Sequence, residues 1–365
     1  MASRSLSLAR MAVLLAAFSA LAVAPHPAAA QLQFSSPDGK MTLKLGLLGQ
    51  LQAESIETAN AQDSSNNIFL RRFRLMANFK LSDKLTVFVE TDNPNLGKGN
   101  ADGSKNNVDI FIQDAVITYT FSKAFQLDGG MLLLGQTYNH GQSAATLMAL
   151  DFGPYSFNES VPTTSRTGRD YGVQARGYLA DDHFEYRAGV FQGLRGVNNT
   201  NPFRYSGRLV YYVFGPQTSY FYRGTSLGTI KTLSIGAAFD RQKDYKSVGG
   251  DFYWDQPVTG GDGVTVQADY QKLDGDVFIT ALPKQTLTLA EVGYYFHSVH
   301  LQPYLQLARQ DFDAAFRPDE KRTQAGLGYY LSGHNSNLKV AWTKIDRDGA
   351  KKRNQYQIQY QVFAF

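Results

Sequence analysis

The sequence predicts an all-β fold: a transmembrane antiparallel β-barrel of about 16 strands, with a long third outer loop folded inward. Three observations lead there. Stretch after stretch alternates apolar and polar residues with period two, the pattern of a strand with one apolar face. Aromatics make up 13% of the chain and glycines number 33, yet mean hydropathy is −0.30, which suits strands that are half lipid-facing and half water-facing. Residues 1–30 also read as an export signal and the chain contains no cysteine, so a protein exported in this way would be stabilised without disulfides.

The expected domain plan is a signal peptide over residues 1–30 and a single barrel domain over residues 31–365. Arg4 and Arg10 supply the positive start, Met11 to Ala24 the apolar core, and Ala28-Ala29-Ala30 a small-residue cleavage site. That core is too short for a spanning helix, which needs about 20 apolar residues. Cleavage would remove two positive charges from a formal net charge of +4, leaving the mature chain nearly neutral. Nucleic acid is therefore not an expected partner, because it selects a strong basic excess.

The first strand starts at Met41, with Leu43, Leu45, Leu47 and Leu51 on one face and Lys44, Gln50, Gln52 and Glu54 on the other. In the second, Ile68–Leu81, Phe69, Phe73, Leu75 and Phe79 oppose Arg72, Arg74 and Lys80. A tight turn at Ser82-Asp83 leads to Leu85, Val87 and Val89, and a polar loop then leads to Val108–Phe121. Ser122-Lys123 turns the chain into Phe125–Gln136.

Beyond the long loop the pattern resumes with Gly168–Ala180, His183–Gly193 and Pro202–Phe214. A longer connection holding Gly215-Pro216 and Gly224 precedes Thr229–Gln242. The remaining strands are Tyr245–Asp255, Asp262–Leu273, Lys284–His297, Val299–Gln310, Glu320–Leu331, Ser336–Arg347 and Arg353–Phe365. Short turns mostly alternate with longer polar connections, as in barrels with short periplasmic turns and long outer loops. Aromatics close the downward strands (Tyr119 and Phe121, Tyr211 and Tyr212, Tyr294 to Phe296, Tyr329 and Tyr330), as an interfacial girdle would. In the last strand, four glutamines from Gln355 to Gln361 share a face suited to a wet lumen, and Phe363 and Phe365 are expected to leave the ladder.

Thr137 to Thr167 resists a strand reading. A structureless connection of about 30 residues is either functional or disordered. Leu147, Met148, Phe152, Tyr155 and Phe157 argue against disorder, and a short helical piece is expected over Ala144 to Leu150. The expectation is a constriction loop over residues 137–167.

With apolar residues facing lipid, the opposite phase lines the pore. It presents Arg72, Arg74, Arg176, Arg187, Arg204 and Arg208, joined by Arg166 and Arg169 at the end of the long loop. Such cations favour anions. Glu90, Asp114, Glu185, Asp269 and Glu291 share the inward phase, so pairs that merely brace the lumen are the plainer alternative. No metal-ligand spacing stands out, His297-x-x-His300 being weak, and no nucleophile elbow or cofactor motif appears. No metal, cofactor or catalytic residue is expected.

Several stretches resemble the phosphate-selective porin O and P family. They are Phe69-Leu70-Arg71-Arg72-Phe73-Arg74-Leu75, Leu81-Ser82-Asp83-Lys84-Leu85 and Gln113-Asp114-Ala115-Val116-Ile117-Thr118-Tyr119. After the long loop come Gly168-Arg169-Asp170-Tyr171-Gly172-Val173-Gln174 and Ala188-Gly189-Val190-Phe191-Gln192-Gly193. The resemblance implies a 16-stranded barrel, a homotrimer, and a third outer loop folded inward. It also implies a pore arginine ladder with lysine clusters at its ends; the first is present here in part, but the net charge is small. The expected function is a porin in the outer membrane of a Gram-negative-type bacterium, passing small hydrophilic solutes with a modest preference for anions, phosphate among them. Its partners would be the lipid bilayer and those solutes. An outer-membrane lipid or ester hydrolase and a plugged structural barrel are the rival readings.

Overall fold

The computed structural model describes residues 32–365, so the signal-peptide reading of residues 1–30 lies outside the described residues. The first half of the sheet comprises β1 (Leu32–Ser35), β2 (Thr42–Glu57), β3 (Ser64–Lys80), β4 (Leu85–Asp92), β5 (Phe111–Ser122), β6 (Phe125–Leu133), β7 (Arg169–Leu179), β8 (Phe184–Phe191) and β9 (Arg204–Phe214). The second half comprises β10 (Thr232–Gln242), β11 (Tyr245–Pro257), β12 (Gly263–Asp274), β13 (Gln285–Tyr295), β14 (Leu301–Phe312), β15 (Glu320–Ser332), β16 (Ser336–Arg347) and β17 (Arg353–Ala364). Strands β2 to β17 pair antiparallel with their sequence neighbours, and β17 returns to β2, closing a ring of 16. Among the described residues no helix is long and apolar enough to cross a membrane. The closed ring satisfies the strand backbones along the sheet, as a wall facing hydrocarbon requires.

The seam is built from both ends of the described chain. Ala364 of β17 lies opposite Leu47 of β2, and Leu32 of β1 lies opposite Leu45, so β17 and β1 run end to end along one edge of β2. The register holds through Phe363↔Leu48 and Ala364↔Leu47, so the last strand does not leave the ladder as expected. Phe363 and Phe365 instead pack with Leu48, Met76 and Phe88, a dry cluster that rewards staying in phase. Gly46 makes room for the terminal ring: a Cβ there would overlap Phe365.

Outward positions such as Leu75, Ile117, Val173, Leu209 and Ile235 are exposed apolar side chains, the expected lipid-facing band. The aromatic ends divide. Tyr119, Phe121, Tyr211, Phe296 and Tyr329 are exposed, whereas Tyr178, Tyr212, Tyr295 and Tyr330 are buried. Adjacent tyrosines in a strand point to opposite faces, so one of each pair has to turn in.

The expected helical piece over Ala144 to Leu150 is absent, and among the described residues the single turn of α-helix lies earlier, α1 (Tyr138–Gly141). The carbonyls a helix would use are taken by wall side chains. Gln50 Nε2 donates to Ala144 O (3.3 Å), Gln361 Nε2 to Ala145 O (2.8 Å), and Lys339 Nζ to Leu147 O (2.5 Å) and Ala149 O (3.0 Å).

Because Gly46 and Phe365 meet at the seam, Gly46→Val should destabilise the closed barrel by about 1–3 kcal/mol through overpacking. The readout is the temperature at which the folded form is lost on unheated gels, which should fall. An unchanged midpoint would remove Phe365 from the seam's stability.

Candidate pore wall and the segments packed against it

Seven of the eight candidate arginines are buried, and each faces a carboxylate. Arg74 donates to Glu90 (2.7 Å) and Asp92 (2.8 Å), Arg169 to Asp114 (3.2 Å) and Arg176 to Asp128 (2.7 Å). Arg187 donates to Glu185 (2.6 Å), Arg204 lies between Asp240 and Asp170, and Arg208 holds Asp251 with two bonds of 2.7 and 2.9 Å. Arg72 donates to Gln50 (2.8 Å) and to Asp151 (2.6 Å), which Arg71 also reaches (2.5 Å). Arg166 alone of the eight is exposed; its guanidinium lies 4.5 Å from the ring centre of Phe111, and no ion pair is recorded for it among the described residues.

The paired charges cluster on β3 to β11. From β12 round to β2 the inward phase is mostly amides: Gln359 donates to Gln52 (3.0 Å) and Gln50 to Gln361 (2.8 Å). These glutamines are buried and bonded to one another or to the long connection, so the face read as wet is covered here. A ring of this many strands is too wide for side chains alone to fill. Two connecting segments supply the rest.

The first is the 134–168 connection. Its contacts span much of the ring: Asn139 N donates to Asp269 on β12 (2.9 Å), Leu150 N to Tyr304 Oη on β14 (3.0 Å), and Tyr155 Oη to Glu320 on β15 (2.9 Å). Lys339 on β16 and the Arg71–Arg72–Asp151 cluster on β3 fix two further points. The two guanidinia hold the Asp151 carboxyl well below the usual carboxylate range, so this latch stays ionised into strong acid. His140 and Glu159, both buried, approach to 3.7 Å with no hydrogen-bond partner on either side chain. Burial pushes Glu159 up to about 7 and His140 well down, favouring the neutral form of each.

The second segment is the 215–231 connection between β9 and β10. Tyr222 N donates to Gly141 O and Ser143 N to Tyr222 O, both at 2.9 Å, a short parallel bridge between the two segments. A side chain at position 141 would meet the Tyr222 ring at 2.6 Å. Tyr222 stacks on Tyr138 (5.0 Å, 13°), which stacks on Tyr253 of β11 (4.0 Å, 11°).

Sequence reasoning named the eight arginines and the 137–167 loop but passed over Asp151, Lys339 and residues 215–231, which pack with them. The available signal was positional. That connection lies at the end of the barrel where the neighbouring turns are short, while the two-residue turn Lys243-Asp244 lies at the opposite end. Among the described residues no group of three or more His, Cys, Asp or Glu side chains is placed to hold a metal.

A family model described as phosphate-selective porin O and P matches residues 45–228, half of the chain. Solved structures share the fold at low identity. An anion-selective porin from Comamonas acidovorans is 12% identical with a TM-score of 0.62, covering 89% of this chain and 100% of its own. OprB of Pseudomonas putida is 10% identical with a TM-score of 0.63, covering 90% and 95%. The trimer form of OmpT, an outer membrane protein of Vibrio cholerae, is 12% identical with a TM-score of 0.55, covering 89% and 100%. No match was found among curated proteins.

Two variants test the anchoring of the long connection. Asp151→Asn leaves two guanidinia without their shared carboxylate and should cost about 2 kcal/mol, a moderate figure because the site is partly exposed. It should also speed proteolysis within residues 134–168. Glu159→Gln tests the buried acid. Its raised pKa means its stability contribution is fully present below its ordinary value of 4.5 and is lost as pH rises through about 7. The variant should therefore gain on the parent by up to about 3 kcal/mol between pH 5 and pH 8. A melting-temperature difference that stays flat with pH would show Glu159 to be solvated.

Proposed function

The chain belongs to the phosphate-selective porin O and P family, an outer-membrane channel family, and from that membership we propose that it carries small hydrophilic solutes by passive diffusion with a modest preference for anions. The observation that supports this most directly is the closed ring with apolar residues outside and paired charges inside. Transport by such a wall needs no covalent step and no energy input: width and inward charge do the selecting. No catalytic role falls to any residue in this reading.

The 134–168 connection acts as the constriction, supported by its hydrogen bonds to strands well apart around the ring. Anion preference is centred on Arg71 and Arg72, where two guanidinia share one carboxylate and leave a local positive excess. Arg74, by contrast, faces two carboxylates, and Arg208 is matched one to one. Phosphate is one candidate anion among small anions, since most of the arginines already have a fixed partner. The functional unit is a homotrimer in the outer membrane, reached after cleavage of the signal peptide over residues 1–30. The trimer form of the Vibrio cholerae protein is support for the assembly. A barrel sealed at rest is the second reading, favoured by the burial of the inward wall.

Single-channel recording under a salt gradient tests both. The purified protein should conduct, with a reversal potential favouring anions. Arg72→Gln, which leaves Asp151 paired with Arg71, should move that potential toward cations. An unmoved potential would take Arg72 out of selectivity, and folded protein that never conducts would leave the sealed barrel standing.

A further inference from the structure

Residues 215–231 enter from the end of the barrel where turns are short, and their aromatic run lands on the arginine wall. Tyr220 lies over Arg176 (5.6 Å) and Arg187 (5.5 Å), with its carbonyl accepting from Arg187 (3.0 Å). Phe221 lies by Arg169 (5.9 Å), edge-on to Phe88. Tyr222 lies over Arg187 (5.1 Å) and Arg208 (5.3 Å) and stacks on Tyr138. Its hydroxyl accepts from Arg208 Nε (3.0 Å) and donates to Glu185 (3.0 Å).

Two features set what else could sit there. Asp114, Asp128, Glu185 and Asp251 match the four arginines one for one, so the basin offers no spare positive charge to an anion. A hydroxyl that takes a hydrogen bond from a guanidinium and gives one to a carboxylate, on a ring stacked against a tyrosine, is how an uncharged hydroxylated ring is held. The segment itself is no part of the sheet. Where it meets the 134–168 connection its backbone bonds go to another loop (Gly141, Ser143 and Thr146), so it can leave without breaking the strand ladder.

We propose that the Tyr220-Phe221-Tyr222 run is a resident ligand of its own pore, occupying a binding site for an uncharged, hydroxyl-bearing ring, and that a permeating solute of this class passes by taking its place. The proposal rests on the porin reading above and adds a solute class and a gate to it.

The test compares the parent with Tyr220→Ser/Phe221→Ser/Tyr222→Ser by single-channel recording, adding glucose or acetate from the short-turn side. Losing three rings and their five contacts with guanidinia should raise open probability roughly tenfold, and glucose should reduce the variant's current where equal acetate does not. Tyr222→Phe keeps the ring and removes only the bridging hydroxyl. It should also open more often than the parent, which keeps the idea testable should the triple variant fail to fold. Equal open probability in parent and variants would overturn the gate. Block by acetate at the glucose concentration would overturn the solute class. Folded parent and variants that never conduct would overturn the porin reading and this proposal with it.

Discussion

A strand in hydrocarbon has no water to satisfy its N–H and C=O groups, so every one of them must find a partner along the sheet. That constraint generates the rest of this molecule. It forces closure, here by return of β17 to β2. Closure with this many strands encloses a space that inward side chains cannot fill. The space is then occupied by backbone from the 134–168 and 215–231 connections, whose own polar groups need partners inside the barrel. The amides on β2, β14 and β17, Lys339 and the tyrosines meet that need.

The same requirement explains why the arginines are paired. A guanidinium taken out of water costs far more than it returns unless a carboxylate and further hydrogen bonds replace the lost hydration. Bidentate geometry at Arg208–Asp251 and the double acceptor set of Arg74 supply that replacement. Paired charges still shape the field a solute meets, but the size of any preference depends on local imbalance. Arg71 and Arg72 on a single Asp151 is the clearest such imbalance.

Strand order and number were legible in the sequence because period-two alternation is strong over whole segments, and short turns punctuate it. Each of the 16 expected strands corresponds to one in the ring. The end of β6 was not: Leu134 to Gln136 read as strand but belong to the connection, since burial of Leu134 against an inner segment reads the same as burial in a strand. That the strand arginines turn inward was legible by phase; their carboxylate partners were only partly so. Asp151 comes from a loop whose path no periodicity encodes, and Asp240 and Asp251 acquire meaning only once neighbouring strands are in register. The role of Tyr220 to Tyr222 was hidden for the same reason. Composition marks an aromatic run as buried, but not which end of a barrel it enters.

The seam between the two ends of the chain has a consequence for biogenesis. The edge of β2 is covered by two separate strands, β1 and β17, lying end to end. Until β17 is in place, β2 keeps an open edge, and a barrel lacking that strand cannot seal itself against the bilayer. Pairing of β17 with β2 is thus the step that completes the wall. A barrel without β17 would be left marked, by its unpaired strand, as unfit for insertion.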